Sequence, residues 1–285
     1  MDNKGTAFVL IVLLSFLAGC VSEEETAPSP EDLYKGAEQR TYSYSFNGKA
    51  ETLRFQVYEG LNDYLANLSR TYQCAQACPS NETIQQGYLD QRYQESELQR
   101  LASLIKTKAS DRENQAKIAI NLVQRIPYDD AAYNGGRATD RYPYQVLYEN
   151  KGVCGEKTRL LAFLLRDIGY GSALMYFSKE QHAALGLKCP QEYSYKGTGY
   201  CFIETTSPAV PTYDQGPYPV FGKLSSSPEV LKLSDGDSYD DIGQEYRDAL
   251  EWGRLQNMMQ QTNGVLDETE YGKWKKLAVK YGIEN

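Results

Sequence analysis

Regular alternation of apolar and polar residues marks the first structured part of the chain. Residues 41–60 read TYSYSFNGKAETLRFQVYEG, with Asn47-Gly48 between two alternating runs. An Asn-Gly pair in that position is typical of a two-residue β-hairpin turn. Residues 61–73 and 82–108 instead carry spaced Leu, Ile and Tyr without alternation, which predicts helices. We therefore expect a hairpin followed by helices.

A helical pattern dominates the centre of the sequence. The motif SDRE from Ser110 has capping-box spacing, and the following AKIAINLVQRI is apolar on nearly all sides, as in a buried helix. Pro127 ends this helix, and residues 128–142 have the composition of a loop. Residues from Cys154 to Gly169 predict a further, amphipathic helix. Cys154 is thus placed at a helix amino terminus.

Three short runs of strand character follow that helix. They span residues 172–177, 183–187 and 200–204, and we expect them to form one antiparallel sheet. Five prolines between residues 206 and 228 predict irregular structure, and the spacing of residues 239–261 and 267–281 predicts helices in the tail. The predicted fold class is α+β, with the Cys154 helix packed on an antiparallel sheet, an N-terminal hairpin with helices, and C-terminal helices.

The amino terminus predicts export. Residues 6–18 form an apolar run that is short for a bilayer span, preceded by Lys4 and followed by Gly19 and Cys20. The segment LAGC ending at Cys20 resembles a lipobox, in which cleavage before the cysteine leaves its thiol to carry a lipid. The alternative is an uncleaved N-terminal anchor helix. Both alternatives place the remaining chain outside the cytoplasm, and the first attaches it to the cell membrane.

The acidic, proline-containing segment after Cys20 lacks aromatic and β-branched runs, which is typical of a flexible tether. The sequence accordingly divides into a lipoprotein signal peptide (1–19), a tether (20–37), an N-terminal hairpin with helices (38–110), a core (111–222) and a C-terminal helical extension (223–285).

Composition narrows the classes of function. The 285 residues are 41% hydrophobic and 24% charged, an ordinary globular balance, and the formal net charge is −8. Binding to nucleic acid requires clustered Lys and Arg, so nucleic acid is not an expected partner. The sequence predicts no cofactor and no metal ion. The expected partners are the membrane, through a lipid on Cys20, and a protein or peptide substrate.

The six cysteines raise a question of pairing, because disulfides persist outside the cytoplasm. With Cys20 carrying lipid, two local bridges are plausible, one within the pair Cys74 and Cys78 and one within the pair Cys189 and Cys201. A zinc site built from those four cysteines is the alternative, although they lack tight knuckle spacing. Cys154 is left over, and an unpaired thiol in an exported protein indicates reactivity.

A thiol acts as a nucleophile in its thiolate form, which a helix amino terminus and a nearby imidazolium both stabilise. Cys154 has the helix, and His182 is the only histidine in the chain. His182 lies at the start of a predicted strand, and Glu204 at the end of the next could orient the imidazole. We therefore predict a catalytic triad of Cys154, His182 and Glu204.

These residues and their order resemble the transglutaminase-like superfamily, whose fold is papain-like. The pieces that carry the resemblance are Tyr142-Pro143, the GVCGEK segment at Cys154, the helix after it, the HAALG segment at His182 and the FIETT segment at Glu204. The family usually has aspartate where this chain has Glu204, and often a tryptophan after the histidine, which this chain lacks. The resemblance covers residues 111 to 208.

The resemblance implies acyl transfer or hydrolysis at amide and peptide bonds, with Cys154 forming a thioacyl enzyme and His182 protonating the leaving amine. The backbone N–H of Cys154 would help to hold the oxyanion. Gln145 and Tyr148, just upstream, are candidates for a second oxyanion donor. The alternative function is a catalytically inactive module that binds peptide or cell-surface material while tethered by its lipid.

Overall fold

The computed structural model of the chain describes residues 27–70, 78–136, 140–218 and 222–283. Its regular elements are α1 (Pro30–Leu33), β1 (Ala37–Phe46), β2 (Lys49–Tyr58), α2 (Glu59–Asn67), α3 (Asn81–Leu89), α4 (Arg92–Lys106), α5 (Arg112–Arg125), α6 (Pro143–Glu149), α7 (Cys154–Ile168), β3 (Ser172–Phe177), β4 (His182–Lys188), β5 (Tyr200–Ile203), β6 (Glu229–Ser234), α8 (Gly243–Gln261) and α9 (Glu268–Tyr281). The predicted α+β fold class is confirmed.

The predicted hairpin forms with full register between β1 and β2, from Ala37 opposite Tyr58 to Phe46 opposite Lys49. Asn47 and Gly48 join the strands with φ of 51° and 73°, the left-handed values that a tight hairpin turn requires. The inward residues of the hairpin pack on the helical core, chiefly on α5. Residues 82–108, where helices were predicted, form α3 and α4, which are separated at Asp90 and Gln91.

Helix α7 lies at the centre of the molecule. It contacts α3, α4, α5 and α6 together with strands β3 and β4. Its apolar residues from Leu160 to Leu165 are buried all round, and so are Glu156, Lys157 and Arg159. The prediction of an amphipathic helix was therefore wrong in one respect, because the polar side of α7 is also enclosed.

The central sheet has the strand order β5-β4-β3-β6, with antiparallel neighbours throughout. Three of its strands were predicted, whereas β6 was not. The two faces of the sheet belong to different apolar clusters: Leu174 and Leu185 face the α7 core, while Met175 and Phe202 face α8 and the irregular segment before β6. The C-terminal helices therefore cover the second face of the sheet.

A disulfide joins Cys189, just after β4, to Cys201 in β5. Because their sulfurs are bonded to each other, these two cysteines cannot serve as the thiolate ligands of the alternative zinc site. Cys78 is also disulfide-bonded. Cys74 lies outside the described residues, so the pairing of Cys74 with Cys78 stays a prediction.

The signal peptide and Cys20 also lie outside the described residues. Within the part of the chain that the structure describes, none of the helices has the length and apolar character needed to span a bilayer. The predicted lipid anchor remains an expectation from the sequence.

Candidate active site

The thiol of Cys154 lies at the first residue of α7 and is 9% exposed. Among the cysteines of the described ranges, it is the free one. The Glu156 carboxylate accepts a hydrogen bond from the backbone N–H of Val153 at 2.9 Å, which fixes the turn just before the cysteine. The amino terminus of a helix carries partial positive charge, so the sulfur occupies a position that favours an anion.

Strand pairing brings His182 to Glu204. His182 begins β4 and Glu204 directly follows β5, and because the strands are antiparallel, the start of one lies beside the end of the other. The His182 Nε2 atom lies 3.0 Å from a carboxylate oxygen of Glu204, with both side chains buried. The glutamate side chain, one methylene longer than the usual aspartate, therefore reaches the imidazole.

The side chain of Cys154 also acts on the imidazole. Burial by itself lowers the pKa of His182, but the charge and hydrogen bond of Glu204, together with the interaction with Cys154, outweigh burial and raise the pKa from 6.5 to about 9. The ring is therefore protonated at neutral pH. His182 is thus hydrogen-bonded to Glu204 and interacts electrostatically with Cys154.

The Glu204 carboxylate is fully enclosed and saturated with donors. One of its oxygens faces His182, and the other accepts hydrogen bonds from the backbone N–H groups of Thr205 and Thr206 and from the Thr206 hydroxyl, at 2.9, 2.7 and 2.6 Å. Burial raises the pKa of Glu204, but His182 and the Thr206 donors together bring it below its ordinary value. Glu204 thus stays ionised beside the imidazolium.

A second carboxylate holds the turn that precedes His182. Glu180 accepts hydrogen bonds from both the backbone N–H and the hydroxyl of Ser225 and of Ser226. Burial raises the pKa of Glu180, but these donors lower it to about 2. Gln181, between this clamp and His182, has a φ of 48°, an uncommon value for a residue other than glycine. The clamp therefore ties the backbone at His182 to the segment before β6.

A buried cluster of ion pairs around Arg141 fixes the backbone that precedes Cys154. The Arg141 guanidinium is 1% exposed and pairs with Asp129 at 2.6 Å, Glu149 at 2.7 Å and Glu156 at 3.0 Å. The backbone N–H of Arg141 also donates a hydrogen bond to Glu156, at 2.7 Å. Since Glu156 also caps Val153, Arg141 positions the backbone that leads into Cys154.

Lys157, three residues beyond the cysteine, is fully buried. Its ammonium group donates to the backbone carbonyls of Gln124, Ile126 and Thr206. Burial lowers the pKa of Lys157 from 10.5 to about 7, opposed by the charges of Glu204 and Cys154. Lys157 therefore ties the end of α5 and the segment after Glu204 to the cysteine helix.

Sequence reasoning did not identify Arg141, Lys157 or Glu180. The signal that could have marked Lys157 is its place in the GVCGEK segment, beside Glu156 in the first turn of the helix that begins at Cys154. Arg141 and Glu180 stand in loops, and their partners lie at least 8 residues away in the chain, so no local pattern marks them.

The two residues named as oxyanion candidates lie elsewhere. The Gln145 side-chain oxygen accepts hydrogen bonds from the backbone N–H of Tyr142, at 3.1 Å, and from Arg70, at 3.0 Å. Tyr148 lies beneath the guanidinium of Arg40. Neither residue lines the cleft at Cys154. Proximity in sequence does not bring them to the sulfur, because α6 turns their side chains toward the hairpin and α2.

An open cleft of about 440 Å³ lies over Cys154. Helix α3, strands β3 and β6, and the loop before α6 contribute side chains to its walls. Its lining includes Asn81, Gln85, Tyr133, Asp140, Cys154, Arg159, Tyr176, Gln181 and Glu229. The described ranges contain no group of three or more His, Cys, Asp or Glu side chains arranged to hold a metal ion. The cleft thus offers a thiol and hydrogen-bonding groups to a molecule that enters it.

Tyr128 is a further residue of the site that sequence reasoning missed. Its backbone pairs with Gly152, two residues before the cysteine, and its ring lies 5.9 Å from that of Tyr133. The Tyr128 hydroxyl is buried without a hydrogen-bond partner among the described residues. Burial, followed by the charge of Cys154, raises the pKa of Tyr128 above its ordinary value. The hydroxyl is therefore a protonated, unused donor in the electrostatic range of Cys154.

This geometry can be compared with known proteins. Residues 99–201 match the sequence model of the transglutaminase-like superfamily. The core of the chain is transglutaminase-like. The match includes Cys154 and His182 and ends three residues before Glu204.

No significant match was found among curated proteins. A crystal structure from Parabacteroides distasonis ATCC 8503, provisionally assigned as a protease, is 16% identical to this chain, with a TM-score of 0.34. That similarity covers 71% of this chain and 41% of the other, so this chain matches less than half the length of that protein. A TM-score of this size carries no argument about function.

The single histidine of this chain gives a direct test of the ion pair. We expect the ring resonances of His182 to titrate with a midpoint at about pH 9, because Glu204 stabilises the imidazolium and the proton leaves only as pH rises through that value. In Glu204→Gln the midpoint should fall, since the attraction of the carboxylate is lost while burial still opposes the charge. The measurement is an NMR pH titration. The surface variant Glu251→Gln is the control, and a wild-type midpoint near 6.5 would contradict the ion pair.

The Arg141 cluster predicts a large effect on stability. Arg141→Ala should lower the free energy of unfolding by roughly 3 to 5 kcal/mol, because it leaves the buried Glu156 carboxylate without its counter-charge. Arg166→Ala breaks a more exposed pair with Asp90 and should cost less than about 1 kcal/mol. Urea denaturation of both variants measures the difference. Equal losses would show that the cluster does not hold the fold.

Proposed function

We propose that this chain is a thiol enzyme that acts on amide or peptide bonds of protein or peptide substrates by acyl transfer or hydrolysis. The observation that carries the proposal is the buried ion pair of His182 and Glu204, 3.0 Å apart, whose imidazole interacts with Cys154 at the wall of an open cleft. Burial of an imidazole against a thiol and a carboxylate costs free energy, and such arrangements cluster at catalytic sites. The transglutaminase-like core supports the same chemistry.

In the proposed first step, the Cys154 thiolate attacks the carbonyl carbon of the substrate, and the carbonyl electrons move to oxygen. The His182 imidazolium then donates its proton to the amine nitrogen as the carbon–nitrogen bond breaks, which leaves a thioester on Cys154. Glu204 holds the ring in place and stabilises its positive charge, but touches no reacting atom in this scheme.

In the second step, water or a substrate amine attacks the thioester and gives a proton to the now neutral His182. The thiolate leaves, and the ion pair with the imidazolium is restored. Attack by water hydrolyses the substrate, whereas attack by an amine forms a new amide bond. Both outcomes use the same three residues.

The oxyanion of the tetrahedral intermediate needs two donors. The backbone N–H of Cys154 is one, because the first N–H groups of a helix have no partner within it. We assign the second role to the Tyr128 hydroxyl, which is buried, protonated and without a partner among the described residues. It replaces Gln145 and Tyr148 in this role.

We also propose that the protein is located outside the cytoplasm at the cell membrane, where a lipid on Cys20 holds the chain. The support is the short apolar run of residues 6–18 that ends in LAGC, followed by an acidic tether. A disulfide between Cys189 and Cys201 is consistent with an oxidising compartment.

The primary test uses Cys154→Ala. The wild-type protein, incubated with blocked glutamine-containing peptides in the presence and absence of a primary amine, should release or exchange the amine and form a thioacyl adduct visible by intact-mass spectrometry. Cys154→Ala should abolish turnover and the adduct. A wild-type protein that forms no adduct, or a variant with unchanged turnover, would favour the inactive peptide-binding module.

Removal of the Tyr128 hydroxyl should slow the chemical step. For Tyr128→Phe we expect kcat to fall roughly 100-fold with little change in KM, because an oxyanion donor acts mainly in the transition state. Tyr133→Phe, which alters the neighbouring ring, is the matched control and should change kcat by less than about threefold. Steady-state kinetics on a peptide that the wild-type protein turns over measures both. An unchanged kcat in Tyr128→Phe would remove this residue from the mechanism.

A further inference from the structure

A second cleft, of about 670 Å³, lies beside the segment that follows Glu204. We call it the tryptophan cleft. Its walls come from the segment after Glu204 and from helix α8, which lies outside the region matched by the family model. Its lining includes Tyr128, Thr206, Tyr213, Tyr218, Trp252 and Gln256. Helix α8 thus contributes side chains to a cavity whose wall also holds Thr206, the residue that donates to Glu204.

Two residues of the tryptophan cleft connect it to the triad and to the cleft over Cys154. Tyr128 lines the tryptophan cleft and Tyr133 lines the cleft over Cys154, and their rings are 5.9 Å apart. Thr206 also lines the tryptophan cleft, and its hydroxyl donates to Glu204. The charges of Cys154 and Glu204 both act on the Tyr128 hydroxyl. One residue, Thr206, therefore stands between the tryptophan cleft and Glu204.

The lining of the tryptophan cleft selects for an apolar group. Trp252, Tyr213 and Tyr218 present aromatic rings to it. Arg125 is the charged residue among its lining, and its guanidinium already donates to the Gly282 carbonyl, at 2.8 Å, and to the Ser45 hydroxyl. A charged substrate side chain would lose its hydration there without gaining a free counter-charge. An aromatic ring or large aliphatic group would bury apolar area against the three rings.

We infer that the tryptophan cleft is a specificity subsite that receives an aromatic or large aliphatic side chain of a peptide substrate, close in sequence to the carbonyl that Cys154 attacks. The inference rests on the proposed function and extends it by naming a substrate class. An extended peptide advances about 3.3 Å per residue, so a side chain near the attacked carbonyl can enter a cavity that adjoins the site. The Gln256 and Gln260 amides, on the same helix as Trp252, are available to hydrogen-bond the peptide backbone.

The kinetic test compares blocked five-residue peptides with a central glutamine. One series carries phenylalanine at each flanking position in turn, and the reference peptide carries glycine at all of them. We expect kcat/KM for the best phenylalanine peptide to exceed that of the glycine peptide by roughly 10- to 100-fold. Equal values at every position would overturn the subsite.

Two variants act on the subsite in different ways. Trp252→Ala removes its largest ring, and Gln256→Phe fills its volume. Both should reduce the ratio of kcat/KM between phenylalanine and glycine peptides by about tenfold, and this ratio cancels any loss of folded protein. Leu250→Ala, on the same helix but lining a different cavity, is the matched control and should leave the ratio unchanged. A ratio unchanged in both subsite variants would also overturn the inference.

A binding measurement separates this inference from the proposed function. The chain has two tryptophans, so Trp274→Phe leaves Trp252 as a fluorescent reporter inside the cleft. In a Cys154→Ala background, the best phenylalanine peptide should change Trp252 fluorescence saturably and bind about tenfold more tightly than the glycine peptide. Equal binding overturns the subsite whether or not the wild-type protein is catalytic. Preferential binding by a protein whose wild type forms no thioacyl adduct supports the subsite and removes the proposed enzyme function.

Discussion

Charged side chains of α7 are buried at the centre of this protein because each of them reaches a partner in another segment of the chain. Glu156 binds Arg141, Lys157 binds three backbone carbonyls, and Arg159 pairs with Asp140. An unpaired charge in these positions would cost several kcal/mol, so the partners must be in place when the helix is enclosed. The loop before α6, the end of α5 and the segment after β5 are thereby fixed around one helix turn. That turn carries Cys154.

The sheet supplies the other half of the site by a different means. Register between β4 and β5 sets His182 against Glu204, and the Cys189–Cys201 disulfide joins the same two strands farther along. The Glu180 clamp holds the turn at the opposite end of β4. The imidazole is therefore positioned by strand pairing and two local anchors, while the thiol is positioned by ion pairs. The site forms where these two sets of constraints meet.

Features that depend on neighbouring residues in sequence were predictable. The hairpin follows from Asn47-Gly48 between alternating runs, and the start of α7 from its flanking glycines and apolar repeat. The series of Cys154, His182 and Glu204 was accessible because the chain has one histidine and because the family resemblance supplies the order. Strand β6 was not, since it pairs with β3 across more than fifty residues and its own sequence is short and mixed.

Partners distant in sequence account for the remaining errors. Gln145 and Tyr148 were chosen for their proximity to Cys154 along the chain, yet their side chains contact Arg70 and Arg40. Tyr128 is twenty-six residues upstream of Cys154 and reaches the site through a backbone bridge to Gly152. The tryptophan of α8 lies still farther away in sequence. Local sequence patterns give no information about contacts between residues that are far apart in sequence, because the packing of helices and strands determines those contacts.

Because both faces of the central sheet are buried, the sheet also affects which part of the chain can fold by itself. The segment matched by the family model, residues 99–201, contains β3 and β4 but neither β6 nor the helices that cover Met175 and Phe202. Excised by itself, that segment would expose an apolar face and an unpaired strand edge, both of which promote self-association. It also lacks Glu204. The part of this chain that can fold by itself is therefore larger than residues 99–201, the segment that the family model matches.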